Sequence, residues 1–179
     1  MKTKSFTRLS AIVVVATLCL TSCSMFKPRV IPRAVNTVNT VMLEELNLTK
    51  NDYQILKTVT AEAIIKCEFG TTNVTINEEN DEFKLTYKVQ NGVWQYDKHK
   101  GIMRLGYLSR DYSSYDGILY PEDIARRTAI YRLINVVQEL GADGIIEPTI
   151  STNIEQINNH DVIYKTIVTG KIVKLITNN

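Results

Sequence analysis

One short segment of this chain specifies a β-hairpin. In FKLTYKVQNGVWQYDK, residues 83–98, apolar and polar side chains alternate up to Asn91-Gly92, and a second strand-like run follows. That dipeptide is favoured in two-residue type I′ turns, because both central positions of such a turn need positive φ. The turn pairs three positions across the ribbon: Gln90 with Val93, Val89 with Trp94, and Tyr87 with Tyr96. The aromatic face of the ribbon is predicted to pack on the core, with a partner as the alternative.

A second segment has the different period of an amphipathic helix. Its sequence, PEDIARRTAIYRLINVVQELG, begins with Pro121, carries Glu122 and Asp123 where they complement the helix dipole, and ends at Gly141. The apolar side chains at helical spacing are Ile130, Leu133, Ile134, Val137 and Leu140. These signals predict one long helix at about 121–140 whose apolar stripe covers one face of a sheet.

Much of the remaining chain has the composition of strands. Segments rich in β-branched and aromatic residues predict strands at about 37–47 and 53–69. Two more are predicted after the helix, at 143–157 and 162–177, joined by a turn at NNHD. Strands, one long helix and further strands make an α+β domain with a mostly antiparallel sheet. We assign a single domain to residues 37–179.

An acidic segment, TTNVTINEENDEF at residues 71–83, precedes the hairpin and is predicted to be a polar loop. Its acidic residues are Glu78, Glu79, Asp81 and Glu82. They lack the alternating ligand spacing and the glycine of a dedicated calcium loop. The segment therefore predicts a solvated acidic surface and no metal site.

The first residues have the proportions of a secretory signal peptide. Basic residues at positions 2, 4 and 8 precede a nearly continuous apolar stretch at 11–20, too short for a membrane span of about 20 apolar residues. The stretch ends in Leu20-Thr21-Ser22-Cys23, which resembles the bacterial lipobox. The resemblance implies cleavage after residues 1–22 and a lipid thioether on Cys23, with acyl chains such as palmitate. An uncleaved anchor with a buried cysteine is the alternative.

Residues 23–36 contain Pro28 and Pro32, lack periodicity, and are predicted to tether the domain to the lipidated cysteine. In lipoproteins of Bacteroides-type bacteria, acidic residues just after the cysteine mark export to the cell surface, and none stands here. Ser24 agrees with the enterobacterial sorting pattern for the outer membrane. The expected location is the cell envelope, on the outer membrane and facing the periplasm.

Removal of the signal peptide changes both the charge and the cysteine count. Three basic residues leave with it, so the formal net charge falls from +2 to −1, and a nucleic-acid partner loses its main support. Cys19 also leaves and Cys23 is lipidated, so Cys67 has no cysteine of its own domain to pair with. Cys67 is predicted to be a buried core residue, with a reactive thiol or an intermolecular pair as the alternative.

The segment GYLSRDYSSYDGILYPED, residues 106–123, has the composition of a binding loop. Tyrosines among small polar residues suit binding, because rigid amphipathic rings supply contact area at a low entropic cost. The candidate binding residues are Tyr107, Arg110, Tyr112, Tyr115 and Tyr120. The partner classes that fit are a glycan, a peptide or another subunit. The alternative is a long loop folded over the sheet, whose rings fill gaps.

The sequence shows no pattern typical of an enzyme or a metal site. Its two histidines, His99 and His160, lie in YDKHKG and NNHD, which we interpret as loop tips. It has no Gly-x-Ser-x-Gly elbow, phosphate loop or dinucleotide fingerprint, and Cys67 and the histidines do not fall at ligand spacing. We therefore predict no catalytic residues, no metal and no cofactor. If the chain were an enzyme, we would expect four of its side chains to lie together in one pocket: Asp111, Asp116, Glu122 and His99.

The C-terminal half carries a family resemblance. ELGADGIIEPTISTN followed by VIYKTIVTGKIVKL resembles the small YbjQ-like domains and, more closely, the TRL-like lipoproteins of Bacteroides-type bacteria. NLTKNDYQILKTVTAEA is similar to the turn and strand that open those domains, and the match covers about half of the mature chain. The resemblance implies ring-like or repeated assembly in some relatives. The chain is also similar to an enterobacterial stress-sensing outer-membrane lipoprotein, whose disulfide cysteines are absent here.

These features predict a lipid-anchored envelope protein whose α+β domain binds a protein partner or forms a homo-oligomer without catalysis. It is expected to reach the membrane through its N-terminal lipid and to bind no nucleic acid. Two alternatives stay open. One is a hydrolase or transferase acting on envelope polymers, and the other is a sensor that reports envelope damage through a partner.

Overall fold

The computed structural model describes residues 31–37, 49, 51–108 and 119–176. Within them one helix packs against a mostly antiparallel sheet, so the predicted α+β class is confirmed. The elements in chain order are β1 (Arg33–Thr37), β2 (Tyr53–Phe69), β3 (Asn73–Glu78), β4 (Phe83–Gln90), β5 (Val93–Gly101), β6 (Met103–Tyr107), α1 (Pro121–Glu139), β7 (Gly144–Gln156) and β8 (Asp161–Leu175). Among these residues no helix has the length and apolar content needed to cross a membrane.

Six strands form the main sheet, in the order β5-β4-β3-β2-β8-β7, and every neighbouring pair is antiparallel. The long strands β2 and β8 pair over nearly their whole length, from Tyr53 opposite Leu175 to Glu68 opposite Asp161. Strands β1 and β6 form a separate parallel pair. The predicted strand at 53–69 and the hairpin through NNHD are confirmed.

The β4–β5 hairpin has the predicted turn and register. Asn91 and Gly92 both have positive φ, 53° and 77°. The opposed residues are those the sequence predicts: Gln90 with Val93, Val89 with Trp94, and Tyr87 with Tyr96. Tyr87 is only 1% exposed, whereas Trp94 and Tyr96 are half-buried against the core. The ribbon therefore contributes both to the core and to the surface.

Helix α1 begins at the predicted proline and covers one side of the sheet, which we call the helix-facing side. The first half of α1 belongs to a core cluster with side chains of β2 to β6, such as Ile65 and Leu85. The second half packs on β2, β7 and β8, around Ala63 and Ile145. Four members of the predicted apolar stripe are buried, and Leu140, which follows the last helical residue, is 41% exposed.

The end of α1 is tied to the end of β8. Gly141 has a φ of 60°, the left-handed conformation common after a helix. Two residues on, Asp143 Oδ2 accepts a hydrogen bond from the Leu175 N–H at 2.8 Å, and Lys174 Nζ reaches Asp143 Oδ1 at 3.2 Å. The Leu175 N–H, aided by Lys174, holds the pKa of the Asp143 carboxyl below its ordinary value.

Three sequence expectations are wrong at their boundaries. Arg33–Thr37 forms β1, so the last predicted tether residues belong to a strand, because β6 supplies a parallel partner far along the chain. Asn73–Glu78, predicted to be loop, forms β3 between β2 and β4. The tyrosine-rich segment begins inside β6, which ends at Tyr107.

Some expectations lie outside the described residues. They include the signal peptide at 1–22, the lipidated Cys23 and residues 23–30 of the tether. The predicted strand at 37–47 also lies outside them beyond Thr37, which is the last residue of β1.

Candidate functional site

The helix-facing side of the β4–β5 hairpin has a tryptophan at the centre of a group of aromatic rings. The centroid of the Trp94 ring lies 6.0 Å from that of Phe69 and 5.8 Å from that of Tyr87. It lies 6.1 Å from the ring of Tyr120, the residue before α1. Tilted aromatic pairs at such separations each contribute about 0.5–1.5 kcal/mol beyond burial. We call Phe69, Trp94 and Tyr120 the aromatic surface.

Tyr120 is the exposed member of this surface. It precedes the proline that begins α1, its backbone is extended (φ −74°, ψ 153°), and its side chain makes no capping hydrogen bond to the helix. Tyr120 is 61% exposed although its ring packs on Trp94. Because Tyr87 beneath Trp94 is buried, the aromatic surface has a fixed base and an outer ring that a partner can contact.

A shallow depression of about 280 Å³ lies beside Phe69. Its lining residues are Glu68, Phe69, Gly70, Thr71, Asn73, Thr75 and His160. The Phe69 N–H donates to the His160 carbonyl at 2.7 Å, and His160 Nδ1 lies 3.0 Å from the Phe69 carbonyl oxygen. The β7–β8 turn is thereby fixed to the end of β2, and His160 is an exposed turn residue, as predicted.

The structure describes two of the five predicted binding residues. Tyr120 belongs to the aromatic surface. Tyr107 is half-buried in β6, with the Arg127 guanidinium carbon 4.8 Å from its ring centroid and an Arg127 nitrogen donating to its hydroxyl at 2.5 Å. Arg110, Tyr112 and Tyr115 lie outside the described residues.

The hairpin pattern predicts which face of the ribbon carries Trp94, but it does not predict the contact of Trp94 with Tyr120, because that contact joins distant parts of the chain.

His99 does not lie at a loop tip, as the sequence analysis expected. It lies within β5, opposite Leu85, and its Nδ1 forms a hydrogen bond with the Tyr96 hydroxyl. The strand continues to Gly101 because its partner β4 extends back to Phe83. Of the four side chains an enzyme would gather, His99 is on β5 and Glu122 is in the first turn of α1, while Asp111 and Asp116 lie outside the described residues.

Glu78 is buried, although the sequence predicted a solvated acidic surface. It ends the alternation Val74, Ile76, Glu78 on the helix-facing side of β3, and its side chain is 0% exposed. Arg132 of α1 lies 2.5 Å from its Oε1, and the backbone N–H groups of Asn80 and Glu82 donate to its Oε2 at 2.7 and 3.3 Å. The carboxylate is therefore paired by the helix that covers it.

The other acidic residues of this segment agree better with the prediction. Glu79 and Asp81 are exposed, and Glu82 is partly exposed and pairs with Arg104 at 2.7 Å. Within the described ranges, no three His, Cys, Asp or Glu side chains are grouped so that they could hold a metal ion. Glu78 pairs with Arg132 and Glu82 with Arg104.

Cys67 is a core residue, as predicted. It is 1% exposed on the helix-facing side of β2. Burial raises the pKa of its thiol to about 12, with a smaller contribution from the negative charge of Glu68. The thiolate is the reactive form of cysteine, so both the burial and the raised pKa oppose reaction of this thiol near neutral pH.

Comparison of the chain with protein-family models, with curated proteins and with solved structures finds no match in any of the three. The resemblance to the TRL-like and YbjQ-like families therefore stays a prediction from the residues quoted above.

Proposed function

We propose that this chain is a lipid-anchored protein of the bacterial cell envelope that binds a protein partner through the aromatic surface, without catalysis. The observation that carries the proposal is Tyr120, which packs on Trp94 and is still 61% exposed. A large exposed ring on a fixed aromatic base is costly to keep in water and is typical of contact residues in protein interfaces. The buried Tyr87 and the half-buried Phe69 hold Trp94 in place before a partner arrives.

A protein partner fits this surface better than a small enclosed ligand does. Ligand sites are usually concave, with a few convergent polar groups. The depression beside Phe69 is shallow, and neither Trp94 nor Tyr120 lines it. Tyrosine and tryptophan on an open surface are instead the residues that most often dominate the energy of protein–protein contacts.

The anchor is supported by the residues around Cys23 and by the basic and apolar segments before it. Two or more acyl chains give stable membrane attachment, since each buried methylene contributes about 0.8 kcal/mol. We place the lipid in the outer membrane, with the domain facing the periplasm. In that position the aromatic surface would meet partners of the envelope.

The partner contact is tested by photo-crosslinking in intact cells with a photoreactive residue in place of Tyr120. The matched control carries the same residue at Val93, which neighbours Trp94 in the β4–β5 hairpin and is 58% exposed but points to the opposite side of the ribbon. We expect a discrete protein adduct from position 120 and none from position 93. Identical adducts at both positions, or none at position 120, would contradict binding through the aromatic surface.

The anchor is tested separately by substitution. Cys23→Ala should abolish incorporation of labelled fatty acid and leave an unprocessed precursor, because no other residue of the lipobox provides the thiol. Cys19→Ala is the matched control, since it removes a cysteine from the same apolar segment and should leave labelling and processing intact. Labelling that persists in Cys23→Ala would rule out lipidation at Cys23 while leaving the aromatic surface untouched as a proposal.

A further inference from the structure

The β7 edge of the main sheet is open along the described part of the chain. Strand β7 pairs with β8 on one side, and no other described strand pairs with it. From Thr149 to Gln156 it is exposed or half-buried at every position. A strand in this position presents a row of backbone donors and acceptors that another strand can use.

The two edges of the sheet are protected differently. The opposite edge, β5, carries Lys98 and Lys100 and has a register irregularity where Tyr87 of β4 meets it. Charges and bulges of this kind discourage a further strand from pairing. Strand β7 has its irregularity only before Thr149, at Glu147 and Pro148, and Glu155 is the only charge beyond it.

The open part of β7 is complementary to itself. Its centre reads Ile150-Ser151-Thr152-Asn153-Ile154. On either side of Thr152 stands first a polar residue and then an isoleucine, so the order of side-chain types is the same in both directions. A twofold axis through Thr152 would set four kinds of pair across two antiparallel copies: Ile150 with Ile154, Ser151 with Asn153, Thr149 with Glu155, and Thr152 with itself. No like charges face each other, and the isoleucines meet on the helix-facing side. An interface with twofold symmetry requires this kind of self-complementarity.

We propose that two copies of this chain associate through their β7 strands, antiparallel and with Thr152 opposite Thr152. The pairing joins the two main sheets into one and places both α1 helices and both aromatic surfaces on the same side of it. It covers Ile154, which is 54% exposed although it lies on the apolar side of the strand. This inference goes beyond the proposed function and depends on neither the lipid anchor nor the aromatic surface.

A second copy fits this edge better than a strand from another protein. Any extended peptide could pair with the backbone groups of β7. The symmetry of side chains about Thr152 brings matching side chains opposite each other only when the second strand is another β7. Head-to-tail pairing of β7 with β5 of a second copy is opposed by the lysines of β5. The expected product is therefore a closed dimer and not an open chain of subunits.

The dimer is tested with two lysine substitutions of nearly equal exposure. Ile154 is 54% exposed within the proposed contact, and Ile157 is 53% exposed in the turn beyond β7. For the purified full chain in detergent, sedimentation should show a dimer. Ile154→Lys should raise the dissociation constant of that dimer by at least about tenfold. Ile157→Lys should leave it unchanged.

Circular dichroism is the control that should show both variants folded. A parent chain that stays monomeric, equal effects of the two lysines, or open-ended assemblies would each overturn the proposal.

The register is tested by a gain of signal, which a folding defect cannot mimic. In Thr152→Cys the two new cysteines face each other, and Cα atoms about 4.5–5.5 Å apart across antiparallel strands lie within disulfide reach. In Ser151→Cys the equivalent atoms are displaced along the strands and lie more than about 7 Å apart, beyond that reach. Mild oxidation should cross-link Thr152→Cys to a dimer above the background of the parent chain, and Ser151→Cys should stay at background. Cross-linking of both or of neither would exclude the register.

Discussion

Arg132→Met is expected to lower the free energy of unfolding by about 3–5 kcal/mol, because it leaves the buried carboxylate of Glu78 without its ion-pair partner. The Glu78 side chain is 0% exposed, and Arg132 lies 2.5 Å from its Oε1. The second guanidinium nitrogen of Arg132 also donates to the Glu62 carbonyl at 2.8 Å, so the substitution removes a further link between α1 and β2. Methionine retains an apolar stem, so little of the expected loss is lost packing. Urea unfolding measures the change in the free energy of unfolding, with the fluorescence of Trp94, the only tryptophan, as the signal.

Arg126→Met provides the matched control on the same helix. Arg126 is exposed, so its replacement should change the free energy of unfolding by no more than about 0.5 kcal/mol. Adding Glu78→Gln to Arg132→Met should restore part of the stability, since a neutral amide needs no counter-charge. Equal losses in the two arginine variants, or no recovery in the double variant, would show that Arg132 does not compensate Glu78.

Glu78 also shows why part of the structure could not be predicted from the sequence. Its segment is rich in acidic and amide residues, which favours a loop, and only the alternation Val74, Ile76, Glu78 indicates a strand. Whether the third position of that alternation can be a buried carboxylate depends on Arg132, which lies 54 residues away. The β1–β6 pair was missed for the same reason, because parallel pairing of distant segments leaves no local pattern.

The features that were predicted correctly are specified locally. Asn91-Gly92 determines the hairpin register through the φ values that the turn needs, and Pro121 and Gly141 bound the helix through the geometry of its ends. The candidate site lies between these two cases. Tyr120 was named from the composition of its segment and Trp94 from its place in the hairpin. Their contact, which makes them one surface, depends on how α1 packs against the sheet.

In that packing, the backbone of α1 lies directly against Gly106 of β6. A Cβ atom added at Gly106 would lie 2.2 Å from the Tyr131 nitrogen and 2.6 Å from the Ile130 carbonyl carbon. Both atoms belong to the backbone of α1, so no change of side-chain rotamer can relieve the contact. Helix and strand would have to separate, which would also disturb the Asn36–Asn135 hydrogen bond between β1 and α1, 3.1 Å long.

Gly106→Ala should therefore cost about 3 kcal/mol or more of unfolding free energy, at the upper end of the range for overpacked positions. Gly70→Ala is the matched control. The nearest atom to a Cβ at Gly70 is Asn73 Oδ1, on a side chain that can rotate away, and the nearest backbone atom is the Asn73 carbonyl oxygen at 3.0 Å. That backbone contact needs a shift of only a few tenths of an ångström, so the loss should be clearly smaller than at Gly106. Urea unfolding compares the two, and hydrogen exchange at β1 and β6 should show faster opening in Gly106→Ala alone. Equal losses of unfolding free energy in the two variants, with unchanged exchange at β6, would contradict this prediction. The close approach of α1 to Gly106 would then not limit how the helix packs on the sheet or places Tyr120 on Trp94.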